Sequence, residues 1–203
     1  EPFVGQDLGG RAEVSLELSG PLGDPGVNVA VHIKEYKITG RDGTQPILLN
    51  AKLHSRRDGD RLLADLEFSG LGKTPFKVGG SSPAHISLKP FACHIDKSGK
   101  LEGKLQGNFN LAVLQTLPAM SDQNLRGLVN VDMGIGGSLE KWELNGGVTF
   151  SDGRYENIEQ GVLLDQVQGS VNAEGRILKL TRLTATDGGT GTISLNGRIE
   201  VDP

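Results

Sequence analysis

Several features that would point to common classes of protein are missing from this chain. It has a single cysteine, Cys93, so no disulfide can form within it. Aromatic residues make up only 4% of the sequence, and its apolar surfaces must therefore be built mainly from Leu, Val and Ile. The longest uninterrupted apolar run is Leu111 to Leu114, far short of the roughly 18 residues that a transmembrane helix needs.

Signals for nucleic-acid binding, metal binding and catalysis are weak or missing as well. The formal net charge is -4, and a nucleic-acid interface would need clustered Lys and Arg. Gly188-Gly189-Thr190-Gly191 has neither the Lys-Ser/Thr pair nor the following helix of a phosphate loop, so it reads as a turn. Cys93-His94 has only His85 nearby, whereas zinc takes four spaced ligands. We expect a buried thiol beside a surface imidazole, and we expect no enzyme, cofactor, metal or nucleic acid.

Glycine is abundant, and alternation of apolar and polar residues dominates the chain. Thirty of the 203 residues are glycine, about twice the usual share of ~7%, which suggests many turns. Period-two alternation predicts roughly a dozen strands, and short turns predict antiparallel pairing of neighbours. In the Gly-, Ser- and Pro-rich stretch 69–90 we predict short strands at 76–78 and 84–88, separated by a loop or bend near 79–83.

The same strand–turn–strand pattern occurs twice, 117 positions apart. Ala12, Val14, Leu16 and Leu18 precede Gly20, and Val129, Val131, Met133 and Ile135 precede Gly137 in the same way. Repeated units of this kind build an extended array rather than a pocket around one site. We therefore predict one elongated β domain over residues 1–203, with repeat units that start near 9 and near 126.

Each predicted strand has an apolar face that must be covered. A second sheet, the same sheet curled over on itself, or a bound apolar ligand would each serve. The spacing in 111–117 predicts a short helix before Pro118, which would cap an apolar edge or plug one end of a trough. Glycines at predicted inward positions fit either bending of the sheet or room for a ligand; they are Gly103, Gly107, Gly169 and Gly197.

The C-terminal half resembles a known family. The run 136–155, with Gly136-Gly137-Ser138-Leu139 and Trp142-Glu143-Leu144-Asn145-Gly146-Gly147, is similar to the TamB-type subunit of the translocation and assembly module. So are Gly161-Val162-Leu163-Leu164-Asp165, Ala185-Thr186-Asp187-Gly188 and the run 193–199. The resemblance covers about residues 111–202 and is only generic over 1–90. Trp142 departs from it, because many members have proline there.

This resemblance implies a large periplasmic protein anchored in the inner membrane and related to the AsmA-like bridge proteins. Its body would be a curled β-sheet with an apolar groove, and its partner an outer-membrane barrel assembly protein of the TamA type. Implied roles are phospholipid transfer toward the outer membrane and help with barrel and autotransporter assembly. Because the chain begins with Glu1 rather than Met, we also expect it to be a piece of a longer protein.

We therefore expect an all-β fold, a long antiparallel sheet curled lengthwise into a trough (a β-taco), with a β-sandwich as the alternative. The expected function is non-enzymatic shielding of phospholipid acyl chains. The alternative is a chaperone-like module that adds a strand from a nascent outer-membrane protein to an open sheet edge. The residues predicted to line the groove are Val14, Leu16, Leu18, Val29, Val31, Leu101, Leu105, Phe109, Val129, Val131, Met133, Ile135, Leu144, Val148, Phe150, Val171, Leu178, Leu180, Ile193, Leu195 and Ile199.

Overall fold

The computed structural model describes residues 9–38, 47–116 and 123–201. Residue 117 of the predicted short helix lies outside these ranges. Twelve strands account for most of the described chain, as the alternation predicted. They are β1 (Arg11–Ser19), β2 (Gly26–Ile38), β3 (Ile47–Asp58), β4 (Arg61–Ser69), β5 (Phe76–Leu88), β6 (Phe91–Ile95), β7 (Glu102–Asn110), β8 (Gln123–Gly137), β9 (Trp142–Asn157), β10 (Val162–Gly175), β11 (Ile177–Thr186) and β12 (Thr192–Glu200).

All twelve strands belong to one antiparallel sheet that does not close on itself. Eleven of them follow chain order from β1 to β12, and β6 stands off this path, paired with β5. The prediction of an all-β fold with a long antiparallel sheet is confirmed. A sandwich would need two separate sheets, and the described strands form a single one. β1 and β12 each have one neighbour, so each carries a free edge.

One face of this sheet carries a polar row from one edge of the sheet to the other. A single register row carries no apolar side chain from β1 to β12. Neighbouring strands are joined across this face by ion pairs, for example Lys34 Nζ to Glu13 at 3.1 Å and Lys104 Nζ to Asp132 at 3.5 Å. The hydrogen bond from Lys34 and its charge lower the pKa of the Glu13 carboxyl. The row consists of Glu13, His32, Lys52, Glu67, Lys77, Gln106, Asp132, Gly147, Asn172, Lys179 and Arg198.

The two copies of the sequence repeat form two hairpins with the same register. Leu18 lies opposite Val27 in the first hairpin, and Ile135 lies opposite Leu144 in the second. Each pair is shifted by 117 positions relative to the other. The turn glycines, Gly20 and Gly137, both have positive φ, of 77° and 87°. Because only glycine adopts such angles without strain, this residue recurs at the same place in the unit.

The predicted interruption of β5 is wrong. Phe76–Leu88 is one continuous strand of 13 residues, and Gly79 and Gly80 pair with both β4 and β7. Pro83 lies where the strand changes partner, since pairing with β7 ends at Ser81 and pairing with β6 begins at Ala84. A residue without an N–H fits there because no ladder bond is needed on that side. The glycines and the proline therefore mark a change of neighbour rather than a loop.

Leu111–Thr116 forms a 3-10 helix between β7 and β8. Its first turn is capped by Asn110, whose Oδ1 accepts a hydrogen bond from the Ala112 N–H at 3.0 Å. Gln115 Nε2 donates to Asn124 Oδ1 at 2.7 Å and ties the helix to β8. No helix in the described ranges is long and apolar enough to cross a membrane.

Candidate functional site: an apolar face along the sheet

The face opposite the polar row carries an unbroken line of apolar residues and glycine. The line follows the register from strand to strand, so consecutive members lie directly opposite one another. We call it the first apolar row. It consists of Val14, Val31, Leu53, Leu66, Val78, Leu105, Met133, Gly146, Ala173, Leu178 and Ile199.

Most of the other predicted groove residues lie in parallel rows on the same face. One row contains Leu16, Val29, Ile135 and Leu144. The next contains Val131, Val148, Val171 and Leu180, and a further one Phe109, Val129, Phe150 and Leu195.

Three predicted residues lie at the margins of these rows. Leu18 pairs with Val27 at one end of the strands, and Ile193 pairs with Ala185 at the other. Leu101 precedes β7, and its N–H donates to the Gly137 carbonyl at 2.8 Å. The register thus places 20 of the 21 predicted residues on strands of this one face, and Leu101 beside it.

The predicted set omitted the middle of the face. Leu53, Leu66 and Val78 complete the first apolar row between β2 and β7. On the same face, Phe76 and Phe109 pack edge to face with their ring centroids 6.0 Å apart. The alternation in residues 47–78 carries the same signal, since it places these residues on the apolar side of their strands.

The apolar face is only partly covered. Among the described residues, the buried apolar side chains are mostly alanines, joined by Pro25, Ile86 and Val129, the last at 2% exposure. A closed core would bury large aliphatic side chains instead. Exposure is high on the strands that have one neighbour, with Phe91 of β6 at 79%, Val14 of β1 at 71% and Ile199 of β12 at 67%. The described chain therefore has no second layer packed over this face.

Two of the inward glycines, Gly107 and Gly197, have contrasting surroundings. At Gly107, with φ of 146°, an added Cβ would lie 2.6 Å from the Cα of Phe76, so the neighbouring strand approaches too closely for a side chain. At Gly197 an added Cβ would meet nothing within 4 Å. The first allows close strand contact, and the second leaves space above the sheet.

One charged side chain, that of Arg57, lies on the apolar face of the described strands. It is near one end of β3. Residues 20–25, the β1–β2 turn, lie over it. Arg57 Nη2 contacts Asp24 Oδ1 at 2.5 Å, and Nη1 donates to the Pro25 carbonyl at 3.0 Å. The turn also reaches β5, where the Leu88 N–H donates to the Leu22 carbonyl at 2.7 Å. This end of the face is therefore covered from β1 as far as β5.

Cys93 is exposed, so the prediction of a buried thiol is wrong. It lies in β6, whose five residues are all exposed because the strand has β5 as its one partner and stands off the main path. Across the part of the chain that the structure describes, His, Cys, Asp and Glu side chains form no group of three or more suited to a metal ion.

Comparison of the chain with protein-family models, with curated proteins and with solved structures found no match. The geometry of the sheet and the residues on its two faces are therefore the basis of the functional argument.

Proposed function

We propose that this chain is a segment of a periplasmic bridge protein of the TamB type, and that its apolar face shields phospholipid acyl chains during transfer between the inner and outer membranes. In this proposal the twelve-stranded sheet curls lengthwise, so that its rows of aliphatic side chains line a trough. Headgroups stay at the seam, near the ends of the strands. The polar rows face the periplasm.

The first apolar row is the observation that carries this proposal. It passes through eleven strands without a charged or polar side chain. At ~4.8 Å per strand it extends about 50 Å, roughly three times the ~15 Å of one bilayer leaflet. A surface of that length fits several acyl chains in sequence better than it fits one small ligand.

The energetics suit a carrier that must also release its cargo. Each CH₂ group buried on the face contributes about 0.8 kcal/mol, so a long acyl chain is well retained. The rows offer Val, Leu, Ile and Met at successive positions, without a deep specific site. A chain displaced by one strand meets nearly the same contacts, and therefore slides without a large barrier.

Photo-crosslinking in cells, in the full-length protein, tests the proposal. The photoreactive residue is placed at Val131, Met133 or Leu195 on the apolar face, and at Asn130 or Ser194 on the polar face as matched controls. Lipid adducts confined to the first set support acyl-chain shielding. Equal lipid labelling from both sets, or labelling from neither, contradicts it.

A second candidate function is strand addition, and the free edges favour it. All nine residues of β1 and all nine of β12 are exposed, and neither strand contains proline. An extended segment of a nascent barrel protein, or of an outer-membrane barrel partner, can pair with such an edge through its backbone. Proline substitutions along β12 distinguish the two functions, because strand addition depends on backbone donors and acyl-chain shielding does not.

A further inference from the structure

The charged side chain on the apolar face, that of Arg57, is incompletely paired. The Arg57 side chain is only 9% exposed, and a guanidinium has five N–H donors. Its Nη1 and Nη2 reach the turn, but Nε is buried without a hydrogen-bond partner. Such a donor is costly to bury, so an oxygen acceptor at this place is favoured.

A second unpaired group lies close to the first in the register. Ser82 Oγ is also buried without a partner. Arg57 pairs with Leu62 and Leu62 pairs with Ser82, so all three share one row on the same face. A guanidinium N–H and a hydroxyl can each donate a hydrogen bond to a phosphate oxygen.

We propose that Arg57 and Ser82 bind the anionic headgroup of an amphiphile whose acyl chain lies along the apolar rows. This inference rests on the proposed function and names the headgroup as a phosphate. Because Arg57 is desolvated and lies on the apolar face, we expect it to bind an anion that carries an apolar tail more tightly than a free anion. In the structure, Asp24 supplies the counter-charge.

The β1–β2 turn makes this exchange feasible. The Asp24 side chain is 62% exposed, so its carboxylate loses little when it returns to water. The turn is held across the face by its contacts with Arg57 and by the single hydrogen bond from Leu88 to Leu22. A Cβ at Gly23 would meet nothing within 4 Å, so this part of the turn borders open space.

Titration calorimetry on the whole chain tests the site with three probes below their micelle concentrations. The probes are dodecyl phosphate, an uncharged octaethylene glycol dodecyl ether and inorganic phosphate. Wild type is expected to bind dodecyl phosphate most tightly. Arg57→Met is expected to weaken that binding roughly 10- to 100-fold, as loss of hydrogen bonds to a charged group predicts, and to leave the ether within twofold.

Two further variants keep the test independent of the folding of Arg57→Met. Asp24→Asn removes the competing carboxylate and is expected to raise the affinity for dodecyl phosphate several-fold. Ser82→Ala is expected to lower it. If the variants bind dodecyl phosphate as wild type does, the proposed headgroup site is wrong, while the proposal that the apolar face shields acyl chains is unaffected.

Two other outcomes separate the headgroup site from the groove. If inorganic phosphate binds as tightly as dodecyl phosphate, the anion site is unrelated to amphiphiles and the assignment is overturned. If neither amphiphile binds at all, the groove itself is contradicted.

Discussion

Pro25 and Trp142 occupy equivalent positions in the two repeated hairpins, 117 residues apart, but only Trp142 pairs with its turn glycine. Gly137 lies opposite Trp142 as the last rung of the second hairpin, whereas the first hairpin ends one rung earlier, at Ser19 opposite Gly26. Proline has no N–H with which to form the missing rung. Residues 20–25 of the first hairpin are therefore not paired with one another as strand residues. They lie over Arg57, and Pro25 is fully buried.

This arrangement predicts an asymmetry between the two partners of the ion pair. Asp24→Asn leaves a buried guanidinium without a counter-ion, and we expect a loss of about 1–2 kcal/mol, less than for a fully buried pair because Asp24 is largely in solvent. Arg57→Met replaces the buried charge by an apolar chain of similar length and is expected to change stability by less than about 1 kcal/mol. Urea unfolding measures both free energies.

The control for that comparison is the exposed pair of Arg56 and Asp58, 4.0 Å apart. Asp58→Asn is expected to shift the unfolding free energy by less than about 0.5 kcal/mol. A larger loss for Arg57→Met than for Asp24→Asn would show that the arginine is held by packing rather than by its charge.

A charge on the apolar face should block lipid transfer without unfolding the protein. Leu195 suits this test because it lies on the edge strand β12 and is 50% exposed. We expect Leu195→Arg in the full-length protein to lower phospholipid transfer between membranes at least tenfold, since an acyl chain that moves along the rows must pass a charge that it would desolvate. Ser194→Arg, one residue away on the opposite face, is expected to transfer phospholipid as wild type does, and equal losses in both variants would remove the distinction between the faces.

Gly107 and Gly197 should respond differently to the same substitution. An alanine at Gly107 meets the backbone of Phe76 and has a φ that L residues rarely adopt, so we expect a loss of about 2 kcal/mol. An alanine at Gly197 meets open space and should change stability by less than about 0.5 kcal/mol. Denaturant unfolding of the two variants checks this; similar losses would mean that close strand approach at Gly107 is unimportant.

Cys93 should react as an accessible thiol. Because β6 is exposed along its length, we expect an aromatic disulfide reagent to modify the native protein at nearly the rate found in denaturant. Native modification that is a hundredfold slower would mean that β6 is covered in solution.

Much of the sheet follows from period-two alternation alone. Once Val14, Leu105 and Met133 are assigned to one side of their strands, every second neighbour follows, and short turns leave antiparallel pairing as the simple solution. The repeat also indicates which residues pair within each hairpin. Leu18 and Val27 are as far apart in sequence as Ile135 and Leu144, and both sets form pairs.

What alternation did not reveal depends on contacts between distant residues. Nothing local shows that Pro83 stands at a change of partner, so the composition around it was interpreted as a loop. Likewise Arg57 stands in the polar run 55–60, where the sequence predicts a solvated side chain. Its burial follows from a turn 32 residues away in sequence, through its bond to Pro25.

The change of partner in β5 also determines where the sheet is weakest under tension. Only five residue pairs, from Lys77–Gln106 to Ser81–Glu102, join β5 to β7, whereas β4–β5 and β7–β8 have eight each. A pulling force applied along the row direction therefore loads the fewest backbone bonds at this junction. Under such a force the sheet would part here first, into a five-strand half that keeps β6 and a six-strand half, each retaining its own apolar rows.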